Sequence, residues 1–327
     1  MTPDEPLLVI LVSLVDRIPA PAPTAKCGRG RPKVYPDRLF LKALIIMMVR
    51  RLRTVHELLS VLEQPTVEMQ RLRSMLAEKG RFPCRRTWER RLKTLPETLP
   101  GQIACLGCHL VTLIGPWAVC GRAVAVDSTA LRAKGGVWHK KDRDQGIVPH
   151  TSIDTEAHWT KSGWHGWVYG WKLHIVCTVA AVWIPLAVSL SAALAAVNET
   201  APLLLRYLPA EACYVLGDLH YNDPELRLVC EQNDRSLVTT QYGRYPHTDD
   251  GVEVRRVFHE LRSRAIENFN EHFKGIFDAH GQVPTKGLVN TQRFALGANF
   301  LYQIVLLCRH QYGLNLRVGL KAFIKAA

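Results

Sequence analysis

The sequence lacks the cysteine pairs that a disulfide framework or a structural zinc site would need. Its nine cysteines are odd in number and scattered, and only Cys105 and Cys108 lie close together. With His109 they match the attachment pattern of c-type haem, but no basic segment precedes the short apolar run at residues 7–15, as a secretory signal requires. Zinc would need a second ligand pair. We therefore expect a reducing compartment, in which these cysteines pack between helices.

Two stretches, residues 101–121 and 173–198, contain no Asp, Glu, Lys or Arg. Each has the length of a membrane span. The second includes a Trp-Ile-Pro sequence and many β-branched residues, which predict two buried strands at about 171–180 and 184–192. The first is interrupted by Gly115-Pro116, which favours a buried helix that leads into a strand. We therefore expect a protein that does not enter a membrane.

The chain has fewer acidic than basic residues, with 29 Asp and Glu against 42 Lys and Arg, which gives a net charge of +13 and a pI near 9.5. Much of the positive excess lies in residues 26–93. A clustered excess of this kind is typical of a surface that follows nucleic-acid phosphates. With 327 residues, 47% of them hydrophobic, the chain can form one large domain and a smaller module.

Residues 34–100 have the pattern of an all-helical, arginine-rich module. Apolar positions recur at helical spacing over 37–52, and Thr54 with Glu57 forms a capping box for the next helix. Blocks of arginine follow the helices, and the candidate DNA contacts among them are Arg85, Arg86, Arg90 and Arg91. DNA binding is our preferred interpretation, and a solvated basic face is the alternative.

Residues 1–33 are apolar, then rich in proline, then basic, and we expect a weakly ordered basic lead. It includes Arg29-Gly30-Arg31-Pro32, the core of the AT-hook pattern, which places two arginines in a narrow minor groove. Arg29 and Arg31 are therefore candidate DNA contacts, and a basic linker is the alternative.

From about residue 118 the pattern changes to strands that alternate with helices. A first strand at 122–127 is followed by a long excursion at 129–168, rich in Trp, His and charge, in which Trp138 is a candidate DNA contact. Long loops inside compact domains are commonly functional. The order of the remaining strands and helices predicts an α/β catalytic domain with a mixed sheet over 118–312.

Two apolar runs end in aspartate, and a helix with a glutamate on one face follows them. Asp127 comes after Val124-Ala125-Val126, and Asp218 comes after Val215-Leu216-Gly217. Strand ends are where open α/β sheets bind ligands. Taken singly, each aspartate has an alternative role as a turn or helix-cap residue.

The third acid is predicted on the helix from Arg264 to Lys274. Glu267 and Lys274 share a stripe with Arg264 and Glu271, beside the apolar stripe that begins at Ile266. The alternative is an exposed face of ion pairs. Three carboxylates from two strand ends and a helix can hold a pair of Mg²⁺ ions, and in so basic a chain the expected substrate is a nucleic-acid phosphodiester.

These motifs resemble those of insertion-sequence transposases of the DDE class, which have a ribonuclease H-like catalytic core. The resemblance covers nearly the whole chain. It rests on Cys84-Arg85-Arg86-Thr87-Trp88-Glu89-Arg90-Arg91-Leu92, Val126-Asp127-Ser128-Thr129, Gly170-Trp171-Lys172-Leu173-His174, Gly217-Asp218-Leu219-His220-Tyr221-Asn222-Asp223, and the helix from Ile266-Glu267 to Lys274. Two positions depart from the family pattern. His220 replaces a common glycine, and Ser263 occupies the position of the usual arginine, between Arg262 and Arg264.

The resemblance implies that Asp127, Asp218 and Glu267 are the catalytic and metal-binding triad, and that Lys274 and Arg264 contact DNA. It implies two Mg²⁺ ions, for which Mn²⁺ can substitute. It implies nicking at the ends of a mobile element and attack of the freed 3′-OH on target DNA. One expected partner is double-stranded DNA, both at the ends of the element and at the target. The other is further copies of this chain, which would assemble when the two ends are paired. The expected location is the cytoplasm, at the nucleoid. The alternatives are a DNA-binding regulator derived from a transposase, or a ribonuclease H-like nuclease that does not join DNA.

Overall fold

The computed structural model describes residues 5–21, 34–118, 122–162, 166–239 and 249–327. The candidate minor-groove arginines, Arg29 and Arg31, lie outside these residues. No helix within the described ranges is both long and apolar enough to cross a membrane.

In the part of the chain that the structure describes, six α-helices precede the first strand. They are α1 (Leu7–Leu14), α2 (Asp37–Val49), α3 (Val55–Leu62), α4 (Val67–Met75), α5 (Arg85–Thr94) and α6 (Leu99–Ile114). Thr54 and Thr66 cap α3 and α4, because each side-chain oxygen accepts a hydrogen bond from a backbone N–H three residues on, in Glu57 and Met69. The capping box expected at Thr54 is present in a shifted form, since Glu57 Oε2 accepts the backbone N–H of Arg53, the residue before the cap, at 2.6 Å.

Helix α1 corrects the expected weakly ordered lead. Leu8, Leu11 and Val12 are fully buried, and α1 packs against α2, α4 and the long C-terminal helix α12 (Leu288–Gln311). An eight-residue helix that is apolar on all sides cannot remain in water, so it becomes part of the core. The prediction of weak order over 1–33 is therefore wrong for this helix.

The sheet contains β1 (Ala123–Arg132), β2 (His158–Ser162), β3 (Gly166–Thr178), β4 (Pro185–Ala192), β5 (Tyr214–Gly217) and β6 (Ser236–Thr239). The spatial order is β2-β3-β1-β5-β6, and β4 pairs with β3. Strand β3 runs antiparallel to both β1 and β4, whereas β5 and β6 run parallel to β1. The predicted α/β class with a mixed sheet is confirmed.

The remaining helices are α7 (Lys140–Asp144), α8 (Val197–Leu205), α9 (Pro224–Glu231), α10 (Asp249–Arg262), α11 (Asn268–Phe277) and α13 (Leu320–Ala326), in addition to α12. Between α10 and α11 the chain forms one π-helical turn, Ser263–Glu267.

The expected excursion at 129–168 is shorter than the sequence suggested. Strand β1 continues past Asp127 to Arg132, because its second half pairs with the middle of β3, from His174 to Gly170. Residues 158–162 form β2. The irregular part is therefore 133–157, which contains the short helix α7.

Helix α12 connects the sheet with the N-terminal helices. It is buried on nearly all sides, and it packs against α6 and β4 as well as against α1, α2 and α5. One continuous hydrophobic core results, and it includes Leu11 of α1, Trp88 of α5 and Ile175 of β3.

Candidate active site

The first two predicted acids lie side by side on neighbouring parallel strands. The pairing of β1 with β5 places Ala125 opposite Leu216. Two residues further along, the same register places Asp127 beside Asp218. Adjacent strands are about 4.8 Å apart, and positions in the same register point to the same face. The sheet register therefore brings together two carboxylates that are 91 positions apart in the sequence.

The loop after β5 holds the carboxylate of the second acid, Asp218, in place. Asp218 caps a short 3₁₀ turn, Leu219–Tyr221, and its Oδ1 accepts the backbone N–H of His220 at 2.9 Å. The His220 ring Nδ1 lies 3.3 Å from Oδ2 of the same carboxylate. The turn folds Tyr221 back onto Gly217, where an added Cβ would come within 2.7 Å of the Tyr221 Cβ. A glycine is therefore required before Asp218 for this buried tyrosine to fit.

The third predicted acid lies at the end of the π-helical turn. Glu267 is the last residue of that turn, and its Oε1 accepts a hydrogen bond from Nη2 of Arg262. Positions five residues apart in an α-helix differ by about 140° in direction, because there are 3.6 residues per turn. A π turn has i to i+5 geometry and brings such positions together. The π turn thus allows Arg262 to hold Glu267.

Arg262 resolves the departure from the family spacing. Ser263 occupies the usual position, and the widened turn lets the preceding residue supply the guanidinium. The side chain of Arg262 is only 12% exposed. Sequence spacing alone did not identify this residue, because it assumes a regular α-helix.

The three acids line one cleft of about 580 Å³. Asn270 and Lys274 of α11 line the same cleft, and the Asn270 Nδ2 donates to Oδ2 of Asp127 at 3.2 Å. Lys161 of β2 and Lys172 of β3 are also present in its wall. The cleft therefore combines an acidic centre with three lysines.

Burial is the largest cause of the pKa shifts of three side chains in the cleft. It raises the pKa of Asp127 to about 6, an effect that Arg262 opposes and that Asp218 and Glu267 reinforce. Burial also lowers the pKa of Lys172, and it lowers the pKa of Lys274 against the opposing effect of Glu271 and Asp127. A bound cation would favour the ionised form of Asp127, since it would offset both the burial and the neighbouring negative charges.

The donors in the cleft fit a hard cation such as Mg²⁺, which takes oxygen ligands. Three carboxylates are available, and within the described residues Oδ1 of Asn270 is buried without a hydrogen-bond partner. Across the described ranges, however, no group of three or more His, Cys, Asp or Glu side chains has the geometry to hold one metal ion. Because Arg262 holds Glu267 and the 3₁₀ turn holds Asp218, a shared site would require side-chain rotation.

Two residues predicted to contact DNA, Arg264 and Trp138, lie outside the acid-lined cleft. Arg264 pairs with Glu260 on the exposed side of the helix and does not line the cleft. Its carbonyl oxygen accepts the indole N–H of Trp183 at 3.0 Å. Trp138 is half-buried, and its indole N–H donates to the carbonyl of Ile147 at 2.7 Å. These residues stabilise local structure in the described chain.

The arginines of α5 divide into two kinds. Arg86 and Arg90 are exposed, as is Arg85, which pairs with Glu89. Arg91 is half-buried, because it pairs with Asp37 and stacks over the Phe40 ring at 4.6 Å. These arginines look alike in the sequence, but some lie on the surface and Arg91 packs into the fold.

The sequence of this chain also matches a known family. The family model described as "Transposase DDE domain" matches residues 119–302. Because the match spans more than half of the chain, the chain belongs to the DDE transposase domain family, and the resemblance inferred from its motifs is confirmed. No curated protein sequence matches it.

Two solved structures show a distant similarity. One is a piggyBac transposase synaptic complex with hairpin DNA, with 9% identity over 96% of this chain and 74% of that chain, at a TM-score of 0.38. The other is a pre-cleavage Mos1 transpososome, with 14% identity over 86% of this chain and 80% of that chain, at a TM-score of 0.23. The assignment to the family rests on the sequence match.

Proposed function

We propose that this protein is a DNA transposase with a ribonuclease H-like catalytic core, which nicks the terminal inverted repeats of a mobile element and joins the freed 3′-OH to target DNA. The observation that carries the proposal is the meeting of Asp127, Asp218 and Glu267 in one cleft of a chain from this family. The strand order supports it, since β1 and β5 deliver two of the acids in register.

Asp127, Asp218 and Glu267 would hold two divalent ions, Mg²⁺ or Mn²⁺. When bound, such ions activate the attacking oxygen and stabilise the leaving oxygen of an in-line displacement. Arg262 keeps Glu267 at the cleft wall, from which the side chain of Glu267 would rotate toward the ions. Lys274 lines the same wall, and we propose that it contacts a phosphate next to the scissile one. The protein contributes mainly orientation and fixed charge.

Both steps can use the same cleft. Water attacks the phosphodiester in the first step and releases a 3′-OH, and that hydroxyl attacks a target phosphodiester in the second. One P–O bond forms and one breaks in each step, and no bond between protein and DNA is needed. The joining step requires two ends and a target together, so we propose that the active form is a homo-oligomer.

The helices of residues 34–100 are proposed to bind the element ends. Their exposed arginines, Arg85, Arg86 and Arg90, support this role. We propose that Arg29 and Arg31 add minor-groove contacts, and that the protein acts in the cytoplasm at the nucleoid.

The test is a joining assay with the full-length protein. Duplexes that carry the inverted repeats flanking the gene are incubated with a supercoiled plasmid, in Mg²⁺, in Mn²⁺ or in EDTA. We expect nicked ends and plasmid-joined products in both metals and neither product in EDTA. Nicking without any joined product would instead identify a nuclease, and DNA binding without nicking would identify a regulator.

A further inference from the structure

A second cleft lies between the N-terminal helices and the segment that leads into α12. Its volume is about 880 Å³, and cations dominate its lining. We call it the basic cleft and define it by Arg53, His56, Arg85, Lys134, Lys286 and Arg293. Among these six residues, only Arg85 is one of the candidate DNA contacts predicted from the sequence.

The charge of the basic cleft is largely unneutralised. Two acids line it, Glu57 and Glu89. Glu57 accepts the backbone N–H of Arg53 as part of the α3 capping box, and Glu89 accepts the Arg85 Nε at 2.8 Å. Within the described residues, no carboxylate lies at ion-pair distance from Lys134 or Lys286. The cleft therefore presents cations toward solvent.

The walls of the basic cleft are held by hydrogen bonds. Gln282 bonds to both backbone groups of Gly135, at 3.1 and 2.9 Å, which fixes the chain beside Lys134. Lys286 Nζ donates to the carbonyl of Thr151 at 2.6 Å. Arg293 Nη2 donates to the carbonyl of Arg53 at 3.3 Å, which ties α12 to the turn before α3. Cations held in this way lose little further freedom when they bind an anion.

Strand β1 connects the basic cleft to the acid-lined cleft. Lys134 lies seven residues after Asp127 and two residues past the end of β1, just after Ala133, whose N–H still pairs with Tyr169. At about 3.3 Å per residue this separation is about 23 Å. A duplex rises about 3.4 Å along its helix axis per nucleotide of one strand, so about seven nucleotides cover the same distance along the axis.

We propose that the basic cleft binds the phosphate backbone of the duplex whose end occupies the acid-lined cleft, about seven nucleotides from the scissile phosphate. This inference rests on the proposed transposase function, which supplies the DNA. A DNA backbone suits this cleft because it carries one negative charge per nucleotide, opposite in sign to the cations of the lining.

The test uses the full-length protein and a labelled 30-base-pair duplex of mixed sequence. Binding is measured between 50 and 200 mM NaCl for wild type, for the double variant Lys134→Ala/Lys286→Ala, and for Arg206→Ala/Arg317→Ala. The last pair is a matched control, because both arginines are exposed, carry the same total charge and lie outside the basic cleft.

We expect the cleft variant to bind at least about 10-fold more weakly at 100 mM NaCl, and its slope of log K against log salt to be less steep by about 1.8, since each phosphate contact contributes about 0.9. The control should stay within about 2-fold of wild type. Equal binding by the two double variants would overturn the inference.

A parallel cleavage assay on end duplexes separates this inference from the proposed function. If wild type nicks ends while both double variants bind alike, only the basic cleft is wrong. If the cleft variant alone loses affinity while wild type nicks nothing, the basic cleft stands and the proposed function is wrong. Phosphate ethylation should block wild-type binding to an end duplex about seven nucleotides from the nick, and an unaffected position there would contradict the proposed path.

Discussion

The three acids of the cleft and the arginines of α5 are each a group of like charges, but the fold treats the two groups in opposite ways. In the cleft, the fold brings like charges together, and burial then raises the pKa of Asp127 to about 6. On α5 the arginines are neighbours in sequence, and the fold separates them by giving Arg91 an acid and a ring while Arg86 stays exposed. Like charges held together by tertiary structure therefore indicate function more strongly than like charges adjacent in sequence.

The largest expected effect comes from removing the acids of the cleft. Asp127→Asn, Asp218→Asn and Glu267→Gln should each lower metal-dependent nicking by at least about 1,000-fold, or about 4 kcal/mol in barrier, while binding of end DNA changes little. Nicking is followed on denaturing gels and binding by gel shift.

The neighbouring glutamates provide the controls for that experiment. Glu271 lines the cleft but faces His280 at 3.4 Å, and Glu260 pairs with Arg264. Glu271→Gln and Glu260→Gln should each retain at least about a tenth of the activity, a loss below about 1.4 kcal/mol. An inactive Glu271→Gln with an active Glu267→Gln would assign the third ligand one turn later.

A second prediction concerns the effect of a buried histidine, outside the three acids, on how stability depends on pH. His174 is buried on β3 and bonded to Ser191 at 2.9 Å, and burial lowers its pKa to about 4 from an ordinary value of 6.5. The unfolded chain binds a proton that the folded chain does not in this range, so stability is full above about pH 6.5 and falls as the pH drops toward 4. The loss should reach about 3 kcal/mol.

Urea unfolding at several pH values measures this loss. Burial raises the pKa of Asp127, which changes stability in the opposite direction over part of the same range, so the comparison is between variants. The difference between wild type and His174→Asn isolates the histidine. The exposed His56→Asn is the control, and it should follow wild type. Parallel curves for wild type and His174→Asn would show that His174 does not govern the acid loss.

A third prediction concerns the π turn. Arg262→Ala should lower nicking about 10- to 100-fold, because a residue that orients a metal ligand typically contributes that much. Arg264→Ala should remain close to wild type, since its ion pair with Glu260 is exposed. Metal titrations of nicking give the readout, and the Arg262 variant should need more Mn²⁺ for half-maximal rate. A larger effect at Arg264 would assign the role of the family arginine to the residue after Ser263 and not to the residue before it.

The smallest expected effect separates two arginines of α5. Arg91→Ala should destabilise the fold by about 1–2 kcal/mol, because it removes a half-buried ion pair and a cation–π contact. Arg86→Ala should change stability by less than about 0.5 kcal/mol but weaken DNA binding and reduce its salt dependence. Thermal unfolding and salt titrations measure the two effects. If Arg86→Ala binds DNA as wild type does, the proposed role of the α5 surface fails.

The sequence was sufficient to identify the elements that carry the acids. The apolar runs before Asp127 and Asp218 predicted strands, and both strands are present. The stripe on the third helix predicted that Glu267 and Lys274 share a face, and both line the cleft. These patterns are local, so periodicity and apolar runs reveal them directly.

The apolar N-terminus and the tryptophan-rich excursion show where local patterns failed. Helix α1 was missed because its eight residues have no polar face, and only the partners that bury them make it a helix of the core. The second half of β1 was taken for a loop because its polar residues, Ser128 and Thr129, resemble a turn, whereas the pairing with β3 makes them a strand.

The sequence by itself determined the family and the α/β class, and it predicted the three acids, because motifs, apolar runs and periodicity are all read along the chain. Only the tertiary structure decided that Arg262 holds Glu267, that Arg91 belongs to the core, and that Lys134 and Lys286 share a cleft. The physical reason is that these contacts depend on a widened helical turn, on the packing of α2 against α5, and on residues about 150 positions apart, and no local pattern encodes such distances.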